Sequence, residues 1–282
     1  MNRSQAALED ERIEIRLILE AIHLKYGYDF REYASTHIKR RLGHRLGISG
    51  LQDYNQMLRS ILYDEEFFNQ VLLDLSINVS EMFRDPGFYR AVRDVVIPHL
   101  KTYPFVKVWH AGCSAGQEVY SMSILLEEEG LKSRTQIYAT DFNELILKKA
   151  MEGIYPAEMI KEYTANYQQS GGTHSFADYY SALYDSVIIK SSLRDRVLFS
   201  SHNLVTDTVF GEMNIIFCRN VLIYFNRDLQ NRVIRLFHES LCPGGFLCLG
   251  SKENIKLSDM AESFEPVAAR ERIYRKKRLE VL

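Results

Sequence analysis

Over roughly the first hundred residues the apolar positions recur at three- and four-residue intervals, the spacing of a helix face. Leu17, Ala21 and Leu24, with Ile18 and Ile22, carry the first run. Gly47 and Ser49-Gly50 punctuate the next segment before Tyr54, Met57, Leu58 and Ile61 resume the period, and Phe67, Phe68, Val71 and Leu75 continue it from Asp64. Asp85-Pro86 predicts another helix start, Asp as cap and Pro at the first helical position, with the helix running to about His99. Pro104 marks a change. From Val106 onward, short strand-like runs alternate with helical stretches, the pattern of a parallel sheet covered by helices.

The later strands are expected at 136–140, 197–202, 214–218 and 246–249, with further strand-like pieces around 264–267 and 272–275 whose direction the sequence leaves open. Helices are expected at 143–151 and 226–241. The stretch Tyr163 to Ser192 does not fit a βα unit. It is rich in Tyr, Ser and Gln, and we read it as an insertion with a small antiparallel element. Val187-Ile188-Ile189 is its expected edge strand, Tyr179, Tyr180 and Tyr184 its aromatics, and Gly171 to Ser175 a long flexible connection. The fold class is α/β: a helical domain over 1–100, then a Rossmann-like domain over 101–282 with a β insertion at about 163–192.

The chain is organised around Val106 to Ser121. Strand, small-residue turn (Ala111-Gly112-Cys113-Ser114-Ala115-Gly116) and helix form the first unit of a ligand-binding α/β domain. Neither a Lys-Ser/Thr pair after the glycines nor a GxGxxG spacing is present, which excludes a P-loop and a dinucleotide fingerprint. Asp141 ends the next strand, where such sheets hold the two hydroxyls of a ribose. A carboxylate there without phosphate-binding machinery suits a nucleoside lacking phosphate, such as S-adenosylmethionine. The same Asp also fits an N-cap for the helix that follows.

Composition narrows the setting. Of 282 residues, 46% are apolar and 26% charged, and the net charge of −2 gives no general attraction to nucleic acid or membrane. The polar N-terminus has no apolar core of a signal peptide, and no run approaches membrane-spanning length. The four cysteines form no CxxC pair and the eight histidines no HExxH, so neither a metal nor a disulfide framework is expected. A cytoplasmic protein is the reading. The one dense charge cluster is His37, Lys39, Arg40, Arg41, His44 and Arg45, a basic helix on which Arg41 and Arg45 share a face, as do Arg40 and His44.

Several ordered phrases together resemble one family, the chemotaxis-receptor glutamate O-methyltransferases of CheR type. They are SINVSEMFRD (76–85), WHAGCSAGQEVYS (109–121), ATDFN (139–143) leading to Gly153-Ile154-Tyr155, His202-Asn203-Leu204, and IFCRNVLIYF (216–225). Pro243-Gly244-Gly245, Glu253 and Ile273-Tyr274-Arg275 complete the order, so the resemblance covers nearly the whole chain. The departures are Gln117 for the usual first Glu of a GEE phrase, Ser80 for Thr and Lys252 for Ser.

The resemblance implies a helical N-terminal domain joined to a methyltransferase domain. It implies transfer of the methyl of S-adenosyl-L-methionine (SAM) to glutamate side chains on chemoreceptor cytoplasmic helices, leaving S-adenosyl-L-homocysteine. It places cofactor contacts at Asn78, Ser80, Arg84, Gly112, Glu118, Asp141, Asn203, Leu204, Arg219 and Asn220. Arg84 and Tyr224 are the implied catalytic residues, Tyr224 beside the methyl. Lys39, Arg40, Arg41 and Arg45 are the implied receptor-binding strip. Partners are receptor proteins, with no nucleic acid, metal or direct membrane insertion. Tethering to a receptor tail peptide is not expected from the insertion. Two other classes stay open: a methyltransferase of a different substrate, and a SAM-sensing adaptor without turnover.

Overall fold

The computed structural model describes residues 3–76, 80–256 and 258–278, with side chains described from Leu8 onward. The chain forms two compact units, Met1–Asn78 with Tyr224–Gln230, and Val79–Ile223 with Asn231–Leu282. The division therefore falls near residue 78 rather than near 100. The physical reason lies in the helix that starts at Pro86. Its Phe88, Tyr89, Val92, Val96, Ile97 and Leu100 are buried in the same core as Val106, Val108 and Phe217 of the sheet.

The first unit holds four helices: α1 (Arg3–Tyr26), α2 (Ser35–Ser49), α3 (Tyr54–Tyr63) and α4 (Glu65–Ser76). Ile18, Leu19 and Ile22 of α1 are buried, as are Ile38 and Leu42 of α2, Tyr54, Met57 and Ile61 of α3, and Phe68, Val71, Leu72 and Leu75 of α4. Leu17 and Leu24, which the periodicity grouped with them, lie on the opposite face at 51% and 77% exposure. The run expected to continue from Tyr54 to Leu75 is two helices. Asp64 leaves the helical region at their junction and its carboxylate caps α4 by accepting the Phe67 N–H at 3.0 Å. Tyr224–Gln230 joins this unit through main-chain bonds: Ala34 N–H donates to Tyr224 O (2.8 Å) and Asn226 N–H to Glu32 O (2.9 Å).

In the second unit, α5 (Pro86–Ala91) runs through a single π-helical segment, Val92–Val96, into α6 (Ile97–Leu100). The sheet and its helices follow: β1 (Val106–Ala111), α7 (Gln117–Glu128), β2 (Thr135–Asp141), α8 (Glu144–Glu152), β3 (Ile154–Pro156), α9 (Ile160–Gln169), β4 (Tyr180–Leu183), β5 (Ser186–Ile189), α10 (Ser191–Arg194), β6 (Val197–Ser201), β7 (Met213–Cys218), α11 (Arg227–Ser240), β8 (Leu241–Leu249), β9 (Phe264–Ala268) and β10 (Ile273–Lys276). The main sheet has the order β6-β2-β1-β7-β8-β10-β9. β6, β2, β1, β7 and β8 pair in parallel, and β10 is antiparallel to both neighbours. The strand order reverses between β1 and β7, so the crevice for a ligand lies at their carboxyl ends. All four cysteines are buried and free.

The insertion is a three-stranded sheet of order β3-β5-β4. It therefore begins at Ile154, earlier than Tyr163, and Val187-Ile188-Ile189 forms the middle strand rather than an edge. Its main chain pairs antiparallel with Ile154–Pro156 on one side and Tyr180–Leu183 on the other, while Val187 and Ile189 share the buried face. Nor is the 171–175 segment a loose connection. Glu128, at the end of α7, accepts the Thr173 N–H (3.2 Å), the Thr173 hydroxyl (3.3 Å) and the Tyr179 hydroxyl (2.8 Å), together with the Tyr167 hydroxyl and the Arg93 guanidinium. Tyr179 is thus a buried anchor. Tyr184, at 99% exposure, marks the tip of the β4–β5 hairpin.

Burial opposes ionisation of Glu128, but the bonds from Tyr167, Arg93 and Tyr179 outweigh it and hold the carboxyl down at about 2 against an ordinary 4.5. The unfolded-state carboxyl titrates near the ordinary value, so the stabilisation is complete above about 4.5 and is lost as the pH falls toward about 2. Its size is on the order of 2–3 kcal/mol. Denaturant unfolding across this interval is expected to show the loss in the wild type and a flatter profile in Glu128→Gln.

Candidate active site

β1 ends in Ala111 and the chain turns sharply. Gly112 has φ 79° and a Cβ there would lie 2.6 Å from Val221 Cγ2, so only glycine fits this position. Its N–H and that of Cys113 donate to Thr140 O (2.8 and 2.9 Å), which ties the turn to the end of β2. Six non-glycine residues of the described chain have positive φ, and four of them, Phe83, Asp85, Ser114 and Asn220, lie in loops carrying site candidates. Such left-handed residues are held against their local preference and concentrate at functional sites.

Asp141 is 7% exposed at the carboxyl end of β2. One carboxylate oxygen accepts the Ser114 N–H (2.9 Å) and the other the Asn143 N–H (3.0 Å). The helix cap that Asp141 might have provided is supplied by Asn143, whose side chain accepts the Leu145 N–H at 3.0 Å. With a further N–H bond from Phe142, the carboxylate keeps acceptor capacity for one more donor such as a ribose hydroxyl. Burial pushes its pKa up to about 6, against the opposing N–H bonds of Asn143, Ser114 and Phe142.

Glu118, in the first turn of α7, pairs with two partners. His110 Nδ1 lies 2.9 Å from Oε1, and Arg219 Nη1 donates to Oε2 at 3.1 Å. Burial pushes the Glu118 carboxyl up, but His110 and Arg219 prevail and hold it below its ordinary value. Arg219 also donates to Asp85 Oδ2 (2.7 Å) and lies 4.0 Å above the Phe88 ring. Helix α5 starts at Pro86 as expected, but Asp85 is left-handed and makes no side-chain cap, because its carboxylate turns to the guanidinium instead. Arg219 is thus engaged with protein groups. Neither His110 nor Asp85 was singled out from the sequence for this site. The alternating WHA phrase, which puts a polar ring inside a buried strand, was the available signal for His110.

The remaining candidates divide. Asn203 and Leu204 lie in the loop after β6, where Asn203 Oδ1 accepts the Val205 N–H (2.9 Å) and the preceding His202 N–H reaches Asp141 O (3.2 Å). Asn220 begins the loop after β7, with its N–H on Glu253 Oε2 at 3.0 Å. Arg84 is half-buried, its nearest carboxylate Glu81 at 3.8 Å. Ser80 lies in the irregular segment before it, and Asn78 falls outside the described residues. Tyr224 belongs with the helical unit, where its ring meets His37 edge-on at 5.3 Å.

The basic strip is split as well. Arg45 is committed to Asp74 (2.6 Å) and Gln70 (2.8 Å), and Lys39 reaches Glu11 at 2.5 Å. Arg40 and His44 are exposed, whereas Arg41 and Arg45 are half-buried, so the outward face is the Arg40 face.

Residues 78–273 match the CheR methyltransferase SAM-binding domain, and residues 13–76 match the CheR methyltransferase all-alpha domain. The chain belongs to the CheR methyltransferase family. It is 53% identical over 264 residues to the putative methyltransferase Cher3 of Pseudomonas putida, covering 94% of this chain and 97% of that protein. A 104.1 kDa protein of Rhodobacter capsulatus is 28% identical across 91% of this chain, which spans 27% of that protein. A chemotaxis protein methyltransferase of Listeria monocytogenes is 29% identical, with 81% of this chain and 85% of that one covered.

This CheR-family protein is a SAM-dependent methyltransferase, and its crevice suits that cofactor. Ser114 Oγ and Gln117 Oε1 are buried at the glycine turn without a hydrogen-bond partner among the described residues, as expected of a surface completed by a polar ligand or water. Asp141 adds an acceptor with room for one more donor, and Gly112 lets the main chain approach closely. Among the described residues, no cluster with the make-up of a metal site occurs and no helix is long and apolar enough to cross a membrane.

Two outcomes follow for Asp141. Its ionised form accepts hydroxyl donors, so SAM affinity is expected to hold above pH about 6 and to weaken as the pH falls below it. Asp141→Ala should weaken binding by roughly 1.5–3 kcal/mol, the loss typical of hydrogen bonds to a charged group. Calorimetric titration with SAM across pH 5–8 checks both.

Proposed function

We propose that this CheR-family enzyme forms methyl esters on glutamate side chains of chemoreceptor cytoplasmic helices. The observation that carries the reading is that the carboxylates of the site are already committed. Glu118 holds His110 and Arg219, Asp141 holds two loop N–H groups, and Glu253 holds main-chain N–H groups. A neutral amine or hydroxyl acceptor would need one of them to take its proton. A glutamate, with a reference pKa near 4.3, arrives already ionised and needs no base. The names of relatives such as the Listeria chemotaxis protein methyltransferase support the same reading.

Bound SAM supplies an electrophilic methyl on a sulfonium centre. The protein's task is then to hold, align and dehydrate. In this reading the Arg84 guanidinium receives the methionine carboxylate, Glu118 accepts from the amino group, and Asp141 accepts from the ribose hydroxyls. Ser80, Asn203, Leu204 and Asn220 line the remainder, with Asn78 as a further contact that the family resemblance implies. Gly112 provides the close approach. Arg219 acts by fixing Glu118. Tyr224 orients the incoming carboxylate. The helical domain recognises the receptor, its exposed cations steering toward a Glu-rich substrate helix in the cytoplasm.

The decisive experiment incubates the enzyme with receptor-containing membranes and SAM labelled in the methyl. Label that volatilises as methanol after alkali identifies methyl esters. Alkali-stable label on protein, or label in an RNA or metabolite fraction, would redirect the substrate assignment. No transfer to any fraction despite SAM binding would mark a sensor without turnover.

The exposed strip gives a second test. Lys39→Ala with Arg40→Ala is expected to slow methylation at limiting receptor and leave SAM affinity unchanged. The wild-type rate should also fall with added salt, since exposed charges are screened beyond about 8–10 Å. Arg45→Ala is expected instead to lower the stability of the helical unit, through the loss of its partners Asp74 and Gln70.

A further inference from the structure

Glu253 is a buried carboxylate to which the reading above gives no part in binding. It is 4% exposed, in the loop after β8. Its Oε2 accepts the N–H of Gly250 (2.6 Å) and of Asn220 (3.0 Å), and its Oε1 accepts those of Val221 (2.9 Å) and Ile223 (3.2 Å). Three of these four donors belong to the loop after β7. Main-chain N–H groups converging on one anion form a nest of the kind that usually receives a ligand. Here the anion is a side chain of the protein itself.

Gly250 closes the arrangement from the side. A Cβ at Gly250 would sit 2.8 Å from Asn220 N, 2.8 Å from Glu253 Oε2 and 3.0 Å from Asn220 Nδ2. Asn220 is left-handed, with φ 60°, and therefore needs an external restraint. The main chain is gripped by Glu253 and the side chain is bounded by Gly250. Val221, the next residue, packs against Gly112 in the glycine turn. One carboxylate thus sets the placement of the β7 loop against the turn after β1.

We propose that Glu253 is a positioning residue of the methyl-transfer site, holding the Asn220–Ile223 turn so that the Asn220 side chain meets the cofactor. The inference rests on the reading of Asn220 as a cofactor contact. The chemistry explains why a carboxylate is needed. An amide has one acceptor oxygen, so in Glu253→Gln the NH2 would face two N–H donors whichever way it is turned. Asp would keep the charge but draw the acceptors back by one methylene.

The test compares SAM and S-adenosylhomocysteine affinity by calorimetry, and kcat and KM for SAM on receptor-containing membranes. The variants are Glu253→Gln, Gly250→Ala, Asn220→Ala and the double Glu253→Gln/Asn220→Ala. Lys276→Met is the stability control, because it removes only the Nζ bonds to His238 O (2.7 Å) and Leu241 O (2.8 Å). Glu253→Gln is expected to weaken SAM binding about tenfold or more, on the scale of a lost charged hydrogen bond, with kcat at saturating SAM nearly kept. The double variant should bind little worse than Asn220→Ala, because both changes act through one contact. A purely structural role would give the pattern of the control, a lower active fraction with KM and affinity unchanged, and would overturn the proposal. If Glu253→Gln fails to fold, Gly250→Ala keeps the charge but crowds both Glu253 Oε2 and Asn220, and unchanged affinity there is equally fatal. Asn220→Ala with normal affinity overturns the cofactor reading itself. Weakened Asn220→Ala beside normal Glu253→Gln and Gly250→Ala overturns only the inference.

Discussion

The methyltransferase unit depends on a guanidinium that has almost no solvent. Arg219 exposes 2% of its side chain, and a charge so placed is tolerable only when matched. It is matched by Glu118 from the helix after the glycine turn and by Asp85 from the start of α5, with the Phe88 ring beneath it. Three segments far apart in sequence are therefore registered by one cation. Removing either carboxylate would leave a buried charge partly unpaired, which is more damaging than losing a surface pair. The same pairing explains why Asp85 gives up the ordinary work of a helix cap.

Buried charge recurs at two further places with the roles reversed. Glu128 gathers hydroxyls, a main-chain N–H and Arg93 around the foot of the insertion, and Glu253 gathers main-chain N–H groups around the β7 loop. In each case the carboxylate accepts main-chain N–H groups of a loop, Thr173 for Glu128 and Asn220, Val221 and Ile223 for Glu253. Directional bonds to an ion help to define those loops. The hydrophobic core supplies the sheet, and the ions supply the loops that sit on it.

That division also decides what could be read from the chain. The strands and their order of appearance were legible because buried parallel strands are short apolar runs, and β1, β2 and β7 begin and end within a residue or so of their expected bounds. The placement of Asp141 at the end of β2 and of the glycine turn after β1 was legible because both follow from the order strand, turn, helix. Family phrases supplied the domain types. The boundary near residue 100 misled because periodicity reports that 86–100 is helical and says nothing of which core it joins. Likewise, Val187–Ile189 is apolar whether central or at an edge, and Leu17 looks the same as Ile18 until the helix is placed. The partners of Glu118, Arg219 and Glu253 lie up to 134 residues away, a relation that no local pattern encodes.

The four cysteines carry one more consequence. Each is buried, and burial pushes every thiol upward, so the reactive thiolate is suppressed at all four. The molecule is in effect silent toward alkylating reagents while folded. The hairpin tip at Tyr184 is the opposite extreme, with its side chain fully in solvent. A Tyr184→Cys substitution would thus create a unique attachment point for a fluorophore or spin label, remote in sequence from every cofactor-site residue named above, without first stripping the protein of its native sulfur.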